Sequence, residues 1–254
     1  MRKQFIEKAP KTIAEIYEAI HTNDINLGEP LGQILNHGFK SLEDIYEFLD
    51  ASDSLVDAMY DRNEDGNYVF SFASKHGDDV TEIIAPLGCQ TSRYHKEDFK
   101  QHVAIVSAKF AELGLSNKDA ALYAVLHDCA KKYTFGTNYR GEVCFYGHEA
   151  LSAFIGGYWL FNNWYMTGDE LRQIIAVIWA HLHPRVTWAQ KPEERDKFID
   201  QLRTFFDCPM KVDETMRLVD LFAQADLGCE SEEEIEAYAD IISRGEQIIR
   251  NAKI

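Results

Sequence analysis

Residues 124–133 read AVLHDCAKKY and place two titratable side chains, His127 and Asp128, at the end of an apolar run with helical character. Two more hydrophobic residues at these positions would have continued the buried helix. Burial of an unpaired aspartate is costly, so a carboxylate that faces a core generally has a cation or several hydrogen-bond donors beside it. The partners of this pair are therefore expected among the other polar residues that face the core.

Further polar residues lie on the apolar faces of predicted helices. His102 follows Phe99 by three residues and precedes Val106 by four, which places it on the buried stripe of its helix. The same spacing assigns an inward direction to His148, His181 and Asp226. A single core-facing histidine is more often structural than a ligand, whereas several helices that direct imidazole and carboxylate groups into one core indicate a shared site.

The chemistry of these side chains predicts a divalent-metal site. Together with His127 and Asp128 they supply nitrogen and oxygen ligands for one ion or for two adjacent ions. Such ligands suit manganese, iron, nickel, cobalt or zinc better than calcium. The five cysteines are scattered and form no CxxC pair, which indicates neither a disulfide framework nor a thiolate zinc site.

Helical periodicity predicts an all-α fold, a helical bundle. The expected helices cover residues 97–113, 117–131, 148–162, 168–182, 193–206, 212–228 and 231–252. Gly114 is expected to end the first of them. Ser116 with Asp119, and Thr167 with Glu170, have the spacing of helix-capping motifs and mark two of the starts.

The N-terminal region, residues 1–85, is expected to be mostly helical and to carry one short hairpin. Residues 41–44 have capping-box spacing before an amphipathic run. Turn-forming residues at 65–67 precede an alternating aromatic pattern at 68–72, which is typical of a strand. Pro86 and Gly88 mark a connection, so the main domain is expected to cover residues 86–254.

Composition limits the classes of partner. The 254 residues carry 42 acidic and 26 basic side chains, a formal net charge of −16, which argues against a duplex nucleic acid ligand because such ligands need a concentrated basic face. No apolar segment approaches the roughly 20 residues that span a bilayer, and the first residues lack the features of a signal peptide. We expect a cytoplasmic protein without a membrane partner. An acidic protein can still carry a local basic pocket, so a small phosphorylated substrate and a short single-stranded nucleic acid end both remain compatible with the composition.

The ordered polar residues resemble a known family. His102, His127-Asp128 and Asp226 follow the H…HD…D signature of the HD superfamily of metal-dependent phosphohydrolases. A closer likeness, over about residues 86–230, is to the HD domains of bacterial tRNA nucleotidyltransferases and of related phage proteins. The matching segments are YHKEDFKQH (94–102), HDCAK (127–131), FYGHEALSA (145–153), HLHP (181–184) and AQADLG (223–228).

This resemblance implies a role for each matching residue. It implies that one metal is held by His102, His127, Asp128 and Asp226, that Asp128 bridges, and that a second metal is held by His148 and His181. Asp128 and Lys131 are the implied catalytic residues, with Lys131 near the substrate phosphate. Further candidates for substrate binding are His95, Arg185 and Arg140, with Tyr133, Tyr139 and Tyr146 as candidates for base stacking. His183 faces away from His181, and we expect a supporting or structural role for it.

The chain also departs from the family pattern. Ala130 occupies the position of the usual glycine, and the loop at 131–144 has no counterpart in the pattern. Residues 1–85 lack the strand-rich head with paired aspartates that nucleotide-adding enzymes carry, so the chain is not expected to add nucleotides.

Three functional hypotheses follow from the sequence. The first is a phosphohydrolase, a phosphodiesterase or phosphatase that cleaves a nucleotide, cyclic nucleotide or nucleotide-like phosphoester with a metal-activated water. A one-metal version of it would suit a nucleotidase or a deoxynucleoside triphosphate hydrolase. The second is a regulatory module that binds a nucleotide without turnover, and the third is a structural helical protein in which the inward polar residues are incidental.

Overall fold

Helices dominate the part of the chain that the structure, a computed structural model, describes, and the predicted all-α class is confirmed. The described residues are 10–22, 41–51, 61–62, 68–73, 80–85, 95–134, 136–137 and 143–252. None of the described helices combines the length and the apolar character needed to cross a lipid bilayer.

The helices of the described chain are numbered here in chain order. They are α1 (Ile13–Thr22), α2 (Leu42–Ala51), α3 (Phe99–Glu112), α4 (Asn117–His127), α5 (Lys131–Thr134), α6 (His148–Asn163), α7 (Gly168–Ala180), α8 (His183–Val186), α9 (Glu193–Phe205), α10 (Pro209–Ala225), α11 (Glu232–Ala237) and α12 (Ala239–Asn251).

Capping side chains set the helix starts that the sequence predicted. The Ser116 hydroxyl accepts the Asp119 amide at 3.1 Å at the start of α4. Thr167 and Glu170 form a full capping box before α7, in which each side chain accepts the backbone amide of the other. Gly114, with a φ of 93°, follows the end of α3 as predicted.

Three predicted helices end earlier than the periodicity suggested. The helix expected over 117–131 ends at His127, with Asp128 as its C-cap and a separate short helix from Lys131. Similarly, His181 is the C-cap of α7 and Asp226 is the C-cap of α10. These three candidate ligands therefore lie at the C-terminal ends of helices, where the backbone leaves the helical conformation.

Small β elements accompany the helices. Strand β1 (Asp61–Arg62) pairs antiparallel with β2 (Tyr68–Ala73), which confirms the predicted hairpin. Strand β3 (Val80–Ala85) pairs antiparallel with β2 along its whole length and was not predicted. A second, two-stranded sheet joins β4 (Gly136–Thr137) to β5 (Val143–Cys144). The predicted domain boundary near residue 86 lies outside the described residues.

The two N-terminal helices share one hydrophobic core with the later helices. Ile13, Ile16 and Ile20 of α1 are buried, and α1 packs against α6 and α7. Helix α2 packs against α3, α4 and α12, with Leu42 and Tyr46 buried. Helices α1 and α2 thus contribute to the same core as the helices that carry the candidate ligands.

Candidate metal centre

The six residues predicted as metal ligands all come together in the interior. His102, His127 and His181 are fully buried, and Asp128, Asp226 and His148 are at most 4% exposed. They arrive from α3, the C-terminal ends of α4, α7 and α10, and the first residue of α6. The inward direction read from the helical periodicity is therefore correct for His102, His148, His181 and Asp226, and the pair His127-Asp128 is buried with them.

Asp128 lies at the centre of the cluster and presents one oxygen to each of two histidine pairs. Its Oδ1 is 3.1 Å from His148 Nε2 and 3.7 Å from His181 Nε2. Its Oδ2 is 3.2 Å from His127 Nε2 and 3.4 Å from His102 Nε2. A carboxylate in this position can share its two oxygens between two neighbouring cations.

Asp226 approaches the cluster from the side of His102 and His127. Its Oδ1 lies 3.3 Å from His102 Nε2 and 3.9 Å from His127 Nε2. Its Oδ2 accepts a hydrogen bond from Arg185 Nη2 at 2.6 Å, and the same nitrogen also donates to the Asp226 carbonyl. Arg185 therefore fixes the rotation of the Asp226 carboxylate and leaves Oδ1 towards the histidines.

Three of the histidines use the same local hydrogen bond to select their tautomer. Nδ1 of His127 donates to the carbonyl of Ala124 at 2.8 Å, and Nδ1 of His181 donates to that of Ile178 at 2.6 Å. His148 does the same with the carbonyl of Phe145, at 2.6 Å. A carbonyl can only accept, so each Nδ1 carries the proton and the neutral ring keeps a lone pair on Nε2. The acceptor lies three residues earlier in each case: Ala124 and Ile178 lie in the last turn of a helix, where carbonyls are left available, and Phe145 lies just before α6.

His102 uses a carboxylate in place of a carbonyl. Its Nδ1 donates to Glu97 Oε1 at 3.0 Å, and both side chains are fully buried. Glu97 Oε1 also accepts Nδ1 of His95 at 2.7 Å, and Oε2 accepts the Cys229 amide at 2.8 Å. Burial alone would raise the pKa of Glu97, but the hydrogen bonds from the two imidazoles lower it to about 2.

The charges of the cluster set the pKa values of two histidines in opposite directions. Burial lowers the pKa of His102, but the carboxylates of Asp128, Asp226 and Glu97 outweigh it and raise this pKa to about 10. Burial lowers the pKa of His181 to about 3, assisted by the neighbouring imidazoles of His127 and His148. Without a bound ion, the raised pKa favours a second proton on His102, whereas the lowered pKa favours a neutral His181.

The carboxylates and the helix ends favour a cation in this space. Burial would raise the pKa of Asp128 and Asp226, yet both pKa values lie well below the usual range because cationic and imidazole groups surround them. The C-terminal ends of α4, α7 and α10 add partial negative charge, and the N-terminal ends of α3 and α6 oppose it in part.

The donor set fits a divalent metal ion. Nε2 of His102, His127, His148 and His181 is buried and makes no hydrogen bond within the described chain, although an unpaired buried polar atom is costly. Ligand atoms of His102, His127 and Asp226 lie within 4.8 Å of one another, as do those of His127, Asp128 and His181. The buried groups can therefore hold a metal ion, with nitrogen and oxygen ligands and no sulfur.

Lys131 lies against the central carboxylate. Its Nζ is 2.5 Å from Asp128 Oδ2, and the residue is 7% exposed. The short turn from Asp128 into α5 brings the lysine back over the carboxylate, where the Asp128 carbonyl accepts the Lys131 amide at 2.9 Å. A cation at this place can compensate the carboxylate and can reach a ligand that approaches the cluster.

The other predicted site residues have varied locations. His95 contacts Glu97 and stacks edge-on against His102, with ring centroids 4.7 Å apart. Tyr146 is 70% exposed, two residues before His148. His183 packs between Trp179 and Trp188, away from the cluster, as expected for a structural role. Arg140 and Tyr139, as well as the side chain of Tyr133, lie outside the described residues.

Sequence reasoning missed the role of Glu97 and the link from Arg185 to Asp226. Glu97 sits in the run Lys96-Glu97-Asp98 just before a helix, where acidic residues are common on the surface, so periodicity gave it no direction. Its only signal was its place in the segment 94–102 that resembles the HD domains.

The comparisons with known proteins supply no name for this site. No protein-family model matches the chain, and neither a curated protein nor a solved structure matches it.

Proposed function

We propose that this protein is a metal-dependent phosphohydrolase of the HD type that cleaves a phosphoester of a nucleotide, cyclic nucleotide or nucleotide-like substrate. The observation that carries the proposal is the buried cluster around Asp128, in which unbonded histidine nitrogens converge on two carboxylates. The order and spacing of these residues along the chain resemble the HD signature, which adds the reaction class.

The two sides of Asp128 favour a centre with two ions. His102, His127 and Asp226 would hold one ion together with Asp128 Oδ2, the oxygen that faces them. His148 and His181 would hold the other with Oδ1. In the one-metal alternative, this second pair would contact the substrate phosphate instead.

The chemistry divides between the metal and the chain. Divalent ions in such a site lower the pKa of a water molecule towards neutrality and neutralise phosphoryl oxygens during the displacement. Lys131 would supply a further positive charge to a non-bridging oxygen as charge develops on it. Asp226 would hold its ligand geometry because Arg185 constrains its carboxylate.

The charge of the chain favours a small substrate over a polymer. With a formal net charge of −16, the protein repels long polyanions, while Lys131 and Arg185 provide positive charge at the cluster itself. Arg185 is bonded to Asp226 and has its side chain 39% exposed, so a contact with substrate remains a prediction. Of the three tyrosines predicted to stack on a base, Tyr146 is the one whose side chain the structure describes.

A turnover screen with a matched variant tests the proposal. Metal-stripped protein would be reloaded with manganese, cobalt, nickel, iron or zinc and assayed on generic phosphomonoesters and phosphodiesters and on mono-, tri- and cyclic nucleotides. We expect metal-dependent hydrolysis that Asp128→Asn abolishes and that Asp213→Asn, an exposed change on α10, retains. Inactivity of the metal-loaded protein on every substrate class would contradict the enzyme proposal and favour the regulatory alternative.

A further inference from the structure

His102 needs a hydrogen-bond acceptor from outside its own helix. The other three cluster histidines lie at helix ends and use the carbonyl three residues earlier. His102 is the fourth residue of α3, so the carbonyl three residues earlier belongs to Phe99 and lies inside the helix, where a backbone amide of the next turn engages it. The Nδ1 proton of His102 is donated instead to Glu97 Oε1.

The second oxygen of Glu97 connects to the segment that carries Asp226. Glu97 Oε2 accepts the Cys229 amide at 2.8 Å, across 132 positions of the chain. The adjacent Lys96 amide donates to the Cys229 carbonyl, also at 2.8 Å. Cys229 follows Asp226 by three residues, so these bonds tie the start of α3 to the end of α10.

We propose that Glu97 is a positioning residue of the metal centre. Its Oε1 holds His102 with Nε2 towards the cluster, and its Oε2 holds the 226–229 segment so that Asp226 Oδ1 faces the same point. One buried carboxylate thereby aligns two ligands that are far apart in sequence. This inference rests on the proposed metal centre.

Glu97 does not act as a ligand of the same ion. It binds the Nδ1 side of the His102 ring, whereas Nε2 on the opposite side faces Asp128 and Asp226. Both of its carboxylate oxygens already accept donors, from His95 and His102 on Oε1 and from Cys229 on Oε2. Its effect must therefore pass through the residues that it holds.

The substitution Glu97→Gln tests this role with almost no change in volume. The amide nitrogen of glutamine would face either an imidazole donor or the Cys229 amide, so at least one of the present hydrogen bonds is lost. Loss of such an outer contact typically lowers metal affinity about 10- to 100-fold. We expect the dissociation constant for Co²⁺ or Mn²⁺, titrated into the metal-stripped full-length protein, to rise by that factor.

Glu149→Gln is the matched control. Glu149 lies 3.5 Å from Nδ1 of His148, but that Nδ1 already donates to the Phe145 carbonyl at 2.6 Å. The control removes the same charge beside a cluster histidine without removing its orienting bond, so we expect an affinity change below about threefold. An equal loss in both variants would overturn the positioning role, as would wild-type affinity in Glu97→Gln.

A measurement on the wild-type protein covers the case in which Glu97→Gln does not fold. In the zinc-loaded protein, the ¹⁵N spectrum of His102 should show Nδ1 protonated and Nε2 without a proton. A deprotonated Nδ1 would overturn the proposal while leaving the metal centre itself intact. Absence of metal binding by the wild type would overturn both this inference and the proposed function.

Discussion

At the scale of single residues, a metal ion bound as proposed would compete with Lys131 for the same carboxylate oxygen. The Lys131 ammonium lies 2.5 Å from Asp128 Oδ2, the oxygen that also faces His102 and His127. The lysine therefore stabilises the buried carboxylate before an ion arrives and opposes the ion afterwards. We expect Lys131 to favour the reaction only when a bound phosphoryl group can interact with its positive charge.

The substitution Lys131→Met should therefore change metal affinity and turnover in opposite directions. Removal of a cation from contact with Asp128 should raise the affinity for Mn²⁺ by at least about threefold. Loss of positive charge at the reacting phosphate should lower kcat by about 100-fold or more at saturating metal. The control Lys118→Met, an exposed position on α4, should change neither quantity. Weaker metal binding by Lys131→Met would contradict the competition.

We expect His102 to make metal binding at the proposed centre dependent on pH. In the absence of metal its pKa is raised to about 10, because the carboxylates of Asp128, Asp226 and Glu97 outweigh the effect of burial. At neutral pH an ion must displace the proton on Nε2, so affinity rises as pH rises towards that pKa. His181, with its pKa lowered to about 3, is already neutral and contributes no such dependence.

We expect the affinity for Co²⁺ to increase up to about tenfold per pH unit between pH 6.5 and 8. Calorimetry in two buffers with different ionisation enthalpies should show that close to one proton is released per ion bound on the His102 side. A binding constant that stays flat across this interval would show that His102 carries no proton for the ion to displace.

At the scale of elements, the contact of α12 with α3 depends on one glycine. A Cβ atom on Gly245 would lie 1.8 Å from the backbone oxygen of Ala104. The two helices can approach this closely only because residue 245 has no side chain. Helix α3 carries His102, so the same contact helps to fix the position of one candidate ligand.

The substitution Gly245→Ala should destabilise the protein by roughly 1–3 kcal/mol or more, since the clash is with backbone and cannot be relieved by a rotamer change. Ser243→Ala, on an exposed position of the same helix, should stay within about 0.5 kcal/mol of wild type. Denaturant unfolding of the metal-stripped proteins measures both. A fully stable Gly245→Ala would show that the two helices do not pack as described.

The sequence predicted helix starts better than helix ends, for a physical reason. Starts such as Ser116 and Thr167 carry a local signal, because the capping side chain and its partner are three residues apart. The ends of α4, α7 and α10 fall at ligand candidates that keep apolar spacing, so periodicity continued through them. Strand β3 was missed because its residues do not alternate between polar and apolar.

At the scale of the whole molecule, the site residues divide by the kind of contact that positions them. The direction of His102 or His148 follows from neighbours within one helix, which the sequence displays. The contacts from Glu97 to Cys229 and from Arg185 to Asp226 join distant segments, and only the fold reveals them. Sequence reasoning therefore found the candidate ligands but not the groups that orient them.

The N-terminal helix α1 packs against a helix that carries a candidate ligand. Ile20 of α1 packs so closely against α6 that a Cβ atom on Gly157 would lie 2.6 Å from its Cδ1. Helix α6 begins with His148, so the N-terminal region supports the helix that carries a candidate ligand. Residues 13–22 therefore contribute to the packing of α6.

Metal stoichiometry tests whether the buried cluster binds two divalent ions, one on either side of Asp128. Metal-stripped wild-type protein titrated with Co²⁺ should bind two equivalents per chain, and Asp226→Asn should keep only the ion on the side of His148 and His181. Asp213→Asn, exposed on the helix that ends at Asp226, should bind as the wild type does. Fewer than two equivalents of cobalt in the wild type, or an unchanged stoichiometry and affinity in Asp226→Asn, would contradict a two-ion centre around Asp128.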